Sequence, residues 1–433
     1  MSGTLHSRRR FLGTVNKAVV GGVLGGLLVG GVVGSLGTSL STGAAQRVTT
    51  QYLERTVTVP RKLRAGYVYI GPAKDYGWSY SHDQGRQWAD RQMPNLVESV
   101  YVEGVSDADA KGAMRSLIET RDVELVVGTS FGYMDPMAEL AAEYVDRYFL
   151  HINGFRAGVL GNAPENMSVA DINTYQIFYL EGLAAGSVTE TGSVGVVATF
   201  PVPVINRLVN AFILGARFAY KKRTGREIKA RVVWLNTWFD PAKARDATIS
   251  LIDIGNADVI SSVEDSPTAL QVAEEYTTSK GRRTWGFSHY TDMSSFGPNS
   301  HLTGHIVNWG AVYLEIYRMV YTGTWRSVDI WARLGDFTPS RWAKTPEEST
   351  LGRPEGGVYM APLHRVIPGE TQRHIKARYE EMKEGLFEPF SSEANLDEPI
   401  RDLKGEVRIE RGRRADRNIL MNMDWIVEYA SEA

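Results

Sequence analysis

The chain has 433 residues, 43% of them hydrophobic and 23% charged, with a formal net charge of −2. That is ordinary globular usage, long enough for two domains with a core in each. There is no Lys/Arg excess to neutralise phosphates, which argues against nucleic acid as a partner. Cysteine is absent, which excludes disulfides, thiolate metal sites, a Cys nucleophile and a lipid-modified N-terminal Cys.

The N-terminus reads as a targeting segment. Ser7-Arg8-Arg9-Arg10-Phe11-Leu12 has the twin-arginine export pattern, and Ala18–Ala45 follows without a charge and with eight Gly between Gly21 and Gly37. So weakly hydrophobic a run behind paired Arg fits a twin-arginine signal over 1–45; the competing reading is a Gly-rich, uncleaved anchor. The leader holds four of the 48 basic residues and none of the 50 acidic ones, so the remainder has a formal charge of −6. Residues 46–63 form a polar lead-in. The expected location is the periplasm or the outer face of the cytoplasmic membrane.

From Arg64 the pattern alternates between strand and helix. Strands are expected at Ala65–Ile70, Leu96–Glu103, Val123–Thr129, Tyr148–Asn153, Ser193–Thr199, Lys229–Asn236, Asp258–Val263 and Thr284–Phe287. Helices are expected at Ser81–Gln92, Asp107–Thr120, Asp135–Arg147, Tyr175–Thr189, Val204–Lys222, Asp240–Ile254 and Pro267–Tyr276. Such alternation implies right-handed crossovers and parallel sheets. Two strand sets, before Asn153 and after Ser193, suggest an α/β chain of two doubly wound lobes. Leu302–Tyr321 reads as a helix returning to the first lobe. The expected division is 64–172 with 300–325 for the first lobe and 173–299 with 326–433 for the second. An irregular surface excursion falls near 336–357, a hairpin at Asp402–Val407 and a closing segment at Met423–Val427.

Two stretches share one plan. Val126–Pro136 and Val232–Pro241 each run from an apolar strand through an aromatic loop to Asp-Pro and a helix. Asp can cap the first helical N–H groups, and Pro at the first position gives up only an amide that lacks a partner anyway. In open parallel sheets ligands bind beyond the carboxyl ends of strands, where these loops lie. Trp78, Phe131, Tyr133, Phe155, Phe200, Trp238, Phe239 and Trp309 all fall at strand ends or loop entries. Their flat faces suit a planar, partly polar ligand. Of the nearby carboxylates Asp75, Asp135, Asp240, Asp265 and Asp292, helix capping accounts best for Asp135 and Asp240. Asp75 and Asp292 have no evident helix role and are the preferred polar contacts.

No catalytic motif is present. His301-Leu302-Thr303-Gly304-His305 has the spacing of a zinc helix but lacks its Glu, and Gly304 weakens a helix. A nucleophile elbow and a phosphate loop are both missing. Neither an enzyme, a cofactor nor a metal site is expected.

These residues resemble the basic-membrane-protein family of substrate-binding proteins for ABC importers, the purine- and nucleoside-binding group. Asp75–Arg86 is similar to the family's first-loop signature. Thr129–Pro136, Ala185-Gly186, Asn210–Phe212, Trp238–Pro241, Thr291–Met293, Asn308–Gly310 and Met423–Val427 follow in order, so the likeness runs from about Arg64 to Tyr429. It implies a type I periplasmic-binding fold with two lobes, a hinge and a purine ring held between aromatic side chains. Carried over, Trp78 with Phe200 or Trp238 forms the sandwich, Ser130, Phe131 and Asp135 line the first lobe, and Asp292 lies near a sugar. Phe155, Asp240 and Trp309 complete the expected site. Val204 stands where members commonly carry Glu, and Val307 where nucleoside binders often carry Lys, so a free base such as adenine is as compatible as a nucleoside. The implied partners are the small ligand and an ABC permease, and a monomer is expected. A membrane-tethered sensor of the same fold, or a binder of a sugar or lipid-like molecule, is the alternative.

Overall fold

The computed structural model describes residues 61–154, 161–332, 334, 351–352 and 357–432. The leader, most of the lead-in, Phe155 and almost all of the 336–357 excursion lie outside the described residues. The first run of elements is β1 (Leu63–Val68), α1 (Trp78–Gln92), β2 (Val97–Val102), α2 (Ala110–Arg121), β3 (Leu125–Gly128), α3 (Met134–Glu143), β4 (Tyr148–Ile152) and β5 (Met167–Ile172). The chain continues with α4 (Tyr175–Val188), β6 (Ser193–Ala198), α5 (Pro203–Thr224), β7 (Lys229–Trp234), α6 (Pro241–Asp253), β8 (Val259–Ser262), α7 (Thr268–Thr278) and β9 (Gly286–Ser288). Next come β10 (His301–Val307), α8 (Gly310–Tyr321), β11 (Asp329–Ala332), β12 (Leu351–Gly352), β13 (Val358–Met360) and α9 (Gly369–Lys383). The hairpin β14 (Ile400–Arg401) and β15 (Val407–Ile409), then α10 (Arg417–Met421) and β16 (Ala430–Glu432), close the described chain.

The first sheet has the order β11-β5-β4-β3-β1-β2 and is parallel throughout. Its inner strands are apolar runs buried on both faces, as crossover helices require. The second sheet runs β16-β7-β6-β8, also parallel. Trp285 bonds to Asp258 and Ile260 at 2.9 and 2.8 Å and carries this sheet on into β9, β10, β13 and β12.

Strand pairing moves the expected division of the chain. His301–Val307 is a strand of the second sheet, not the start of the helix expected over Leu302–Tyr321. Thr303, Ile306 and Val307 are β-branched and favour a strand, and Gly304 has no room for a side chain, since a Cβ would lie 2.4 Å from the Ser288 Cβ. Asp329–Ala332 joins the first sheet, within the 326–433 span expected in the second lobe. The chain passes between the sheets at Asn173-Thr174 and at Asn308-Trp309, and again between β11 and β13.

The second lobe is organised by α4 and α5. Every residue from Tyr175 to Ser187 is buried, as in an interior helix, and its one charged side chain, Glu181, is paired with His305 at 2.9 Å. The two helices pack backbone to backbone at glycines. A Cβ on Gly182, Gly186 or Gly215 would lie 2.1 Å from the carbonyl oxygen of Phe212, Ala216 or Tyr179, respectively.

A buried ion pair ties the lobes together. Arg207 on α5 reaches Asp171 on β5 at 2.7 Å, and each side chain is 4% exposed. The Arg207 and Arg417 guanidiniums both pack on Trp331, 5.0 and 4.8 Å from its ring centre. Arg417 is held in turn by Asp329 at 2.5 Å.

The glycine contacts lead to a prediction. Gly182→Ala forces α4 and α5 apart and is expected to cost about 1–3 kcal/mol of stability, the usual range for overpacking. Urea unfolding measures this; an unchanged midpoint would show that the helices do not pack this closely.

Candidate functional site

The carboxyl ends of the parallel strands of both sheets face one narrow cleft, which is where this sheet topology places ligands. From the first lobe it is lined by Ile70, Trp78, Thr129, Ser130, Phe131 and Asn153. From the second come Val204, Ile205, Trp238, Val263, Asp265 and Tyr290. The structure therefore brings together Trp78, Ser130, Phe131 and Trp238 among the expected residues.

Trp78 opens α1, and its position is fixed from three sides. Its indole N–H donates to the Thr129 carbonyl at 2.5 Å. Tyr290 from the second lobe meets it edge-on at 4.8 Å. Behind it stand His82 at 4.3 Å and Trp309 at 5.4 Å, both edge-to-face. His82 stacks on Trp309 at 4.4 Å and bonds through Nδ1 to the Tyr313 hydroxyl at 2.5 Å. Burial holds the His82 pKa well below its ordinary value, so this support is neutral at physiological pH. Trp309 is thus a buried brace for the cleft wall rather than part of its lining.

Phe131 lies in the short 3₁₀ turn Phe131–Tyr133 that follows β3. Ser130 donates its hydroxyl to Asp107 at 2.8 Å, and its carbonyl bonds to His151 Nε2 at 2.8 Å. In the second lobe Phe200 packs on Trp238 with ring centres 4.8 Å apart, outside the lining itself.

The carboxylates divide differently from expectation. Asp75 does have a helix role: its oxygens accept from the backbone N–H groups of Gly77, Ser79 and Tyr80 at 2.8–3.0 Å. The helix begins at Trp78, three residues before the expected Ser81, which puts Asp75 at its N-terminal flank. Asp292 is exposed and accepts from Ser294 N at 2.9 Å in a local turn. Asp240 caps α6 through Lys243 N at 3.0 Å. Asp135 is exposed inside the first turn of α3, because the 3₁₀ turn runs straight into that helix. None of these four lines the cleft.

Asp265, named among the candidate carboxylates but not preferred, does line it. It is 4% exposed, and its carboxyl makes no hydrogen bond or ion pair among the described residues. Its neighbours are acidic. Glu264 is fully buried, accepting from Asp240 N at 3.0 Å, Ser266 N at 3.1 Å and the Ser266 hydroxyl at 2.5 Å. Gly77 from the first lobe presses on the Asp265 backbone, where a Cβ would stand 2.7 Å from the carbonyl oxygen. Burial first, then the charges of Asp75 and Glu264, push the Asp265 pKa well above the ordinary carboxyl value. Burial also lifts Asp75, to about 6, against the pull of its N–H donors. The sequence signal for Asp265 is its place just past β8, the same strand-end position as the aromatic loops.

The lobes also touch at the rim. The Thr291 hydroxyl donates to the Tyr76 carbonyl, and the Tyr76 ring meets Phe296 edge-on at 5.0 Å. Among the described residues no set of three His, Cys, Asp or Glu is gathered for a metal, and no helix is long and apolar enough to cross a membrane.

Two parallel α/β lobes, repeated crossings and a strand-end cleft define a type I periplasmic-binding fold, the architecture of solute-binding proteins. Residues 62–336 match the family described as Bmp, ABC transporter substrate-binding protein PnrA-like, and the chain belongs to that family. It is an extracytoplasmic solute-binding protein of an ABC transporter and not an enzyme. The chain is 31% identical over 367 residues to a purine-binding protein of Brucella abortus (strain 2308), covering 84% of this chain and 92% of the relative. It is 34% identical over 303 residues to the "Putative ABC transporter glucose-binding protein TsgA13" of Haloferax volcanii, covering 69% and 72%. An ABC transporter solute-binding protein from Aeropyrum pernix K1 superposes with a TM-score of 0.61 at 13% identity, covering 75% of this chain and 92% of that one.

The raised Asp75 pKa sets a pH dependence. Between about pH 4 and pH 6 the folded protein holds a proton on Asp75 that the unfolded chain has released, so stability falls as pH rises through that window. Relative to Asp75→Asn, the wild type is expected to lose roughly 3 kcal/mol in urea unfolding between pH 4 and pH 7. A difference that stays constant with pH would remove Asp75 from this role.

Proposed function

We propose that this solute-binding protein captures a purine base or nucleoside between its lobes and delivers it to the permease of its ABC importer. The observation that carries this reading is the set of aromatic rings, Trp78, Phe131, Trp238 and Tyr290, facing one narrow cleft from both lobes. Rings on both walls gain most from a flat ligand touching both, and such a ligand stabilises the closed form by contacts absent in the open one. The likeness to the Brucella purine-binding protein supports the same class. The leader pattern at Ser7–Leu12 supports export by the twin-arginine route.

A second reading, a sugar ligand, is favoured by the likeness to the Haloferax protein. Aromatic faces also pack against the apolar faces of sugar rings, so Trp78 and Trp238 are compatible with either. The buried carboxyl of Asp265 suits both hydroxyl and N–H donors.

A thermal-shift panel of adenine, guanine, hypoxanthine, adenosine, inosine, ribose and glucose separates the two. At least one purine is expected to raise the melting temperature by several degrees, and glucose not at all; the reverse order would establish the sugar reading. Calorimetry of Trp78→Ala is expected to show purine affinity weakened at least tenfold, with a smaller effect for Phe200→Ala, which stands behind Trp238. Equal losses for both would mean that Trp78 acts only through the fold.

A further inference from the structure

We propose that Asp265 reads the edge of the ligand as a neutral carboxyl, donating through one oxygen and accepting through the other, and so selects rings that carry an acceptor beside an N–H donor. Adenine, with its amino group next to a ring nitrogen, is such a ligand. This rests on the purine reading and says how that site recognises its ring.

The argument starts from where a proton is held when three carboxyls are crowded together. Asp75, Glu264 and Asp265 meet at the junction of the lobes, and each raises the cost of charging another. Two of them have donors that stabilise an anion. Asp75 accepts three backbone N–H groups, and Glu264 accepts two with a hydroxyl. Asp265 has none among the described residues, so burial and its acidic neighbours act on it unopposed. The proton therefore rests on Asp265.

The surrounding elements supply no cation to reverse this. The loop before α1 presents Asp75. The segment after β8 presents Glu264, and the start of α6 presents Asp240, which is already paired with Lys243 at 3.7 Å. The loop after β9 contributes the Tyr290 phenol and His289, which burial keeps neutral. From α5, Arg207 is committed to Asp171. An anionic solute would meet no Lys or Arg among the residues lining this cleft.

A neutral carboxyl offers one O–H donor and one carbonyl acceptor side by side, whereas a carboxylate offers acceptors only. The neutral form matches adenine in two parallel hydrogen bonds, which the ionised form would reduce to one. Asn keeps a donor beside an acceptor but does not titrate, so Asp265→Asn isolates the claim.

The test is calorimetric titration of adenine into wild type, Asp265→Asn and Asp265→Ala from pH 5.5 to pH 9, with melting curves to confirm folding of each variant. The wild-type affinity is expected to hold steady while the carboxyl is neutral and to fall, by up to tenfold per unit, only above the pH at which it ionises. Asp265→Asn is expected to bind within severalfold of the wild type at pH 5.5 and to lose the pH dependence. Asp265→Ala is expected to bind at least tenfold more weakly throughout. If adenine binds but wild-type affinity rises with pH, or if Asp265→Asn is as weak as Asp265→Ala, the neutral-carboxyl inference is overturned while the purine reading survives. If no purine binds any of the three at any pH, both are overturned together.

Discussion

Bringing two lobes together buries polar loop groups, and each must find a partner or oppose the contact. This constraint orders the charged groups of the interlobe surface. Asp75 is satisfied by the first turn of its own helix, Glu264 by its own loop and Ser130 by Asp107. Asp171 and Arg207 satisfy each other across the lobes. Asp265 is the exception among the carboxyls at this junction. A buried polar group without a partner costs free energy, so a ligand that supplies one favours the closed form more than the open one.

The apolar half of the cleft is preorganised in the same sense. Trp78 cannot swing freely, because Thr129 takes its N–H while His82 and Trp309 fill the space behind it. Trp309 lies where the chain crosses between the sheets and marks the start of α8. This cleft-lining ring thus rests directly on a crossing segment. The rigidity below comes from α4 and α5, whose glycine contacts bring the backbones together with little room to slide. Loops that carry recognition are held by elements that do not depend on those loops.

How much of this was legible in the sequence follows from what kind of property each feature is. Strand and helix alternation is a local periodicity, and it placed the elements from β1 to β9 to within a few residues, except β5. The aromatic loops were legible because their strands end in clear apolar runs. His301–Val307 was not, since its short alternation competes with a helix-like continuation into α8 and its pairing with Gly286–Ser288 is non-local. The role of Asp75 was missed because Gly77-Trp78-Ser79 carries no conventional start signal, so the helix was begun too late. Asp265 is legible as a strand-end carboxylate but not as the one that lines the cleft, because lacking a partner is a property of the packed molecule and leaves no trace in the order of residues.

The echo between Val126–Pro136 and Val232–Pro241 shows how the same local chemistry is used unequally. In the second copy Asp240 caps its helix directly and Trp238 reaches the cleft. In the first, a 3₁₀ turn intervenes, Phe131 reaches the cleft, and Asp135 is carried into the helix and out to solvent. One inserted turn is enough to separate two roles that the sequence pattern joins. Ligand choice is exposed to changes of that size because the groups that make it stand on strand-end loops, outside the packed sheets. Two relatives of similar identity to this chain accordingly carry the names of different ligands, a purine and glucose. The aromatic walls tolerate either, since stacking asks only for a flat or apolar face. What distinguishes the two lies in the polar groups between those walls, and here the Asp265 carboxyl and the Trp238 indole N–H are both left without partners among the described residues.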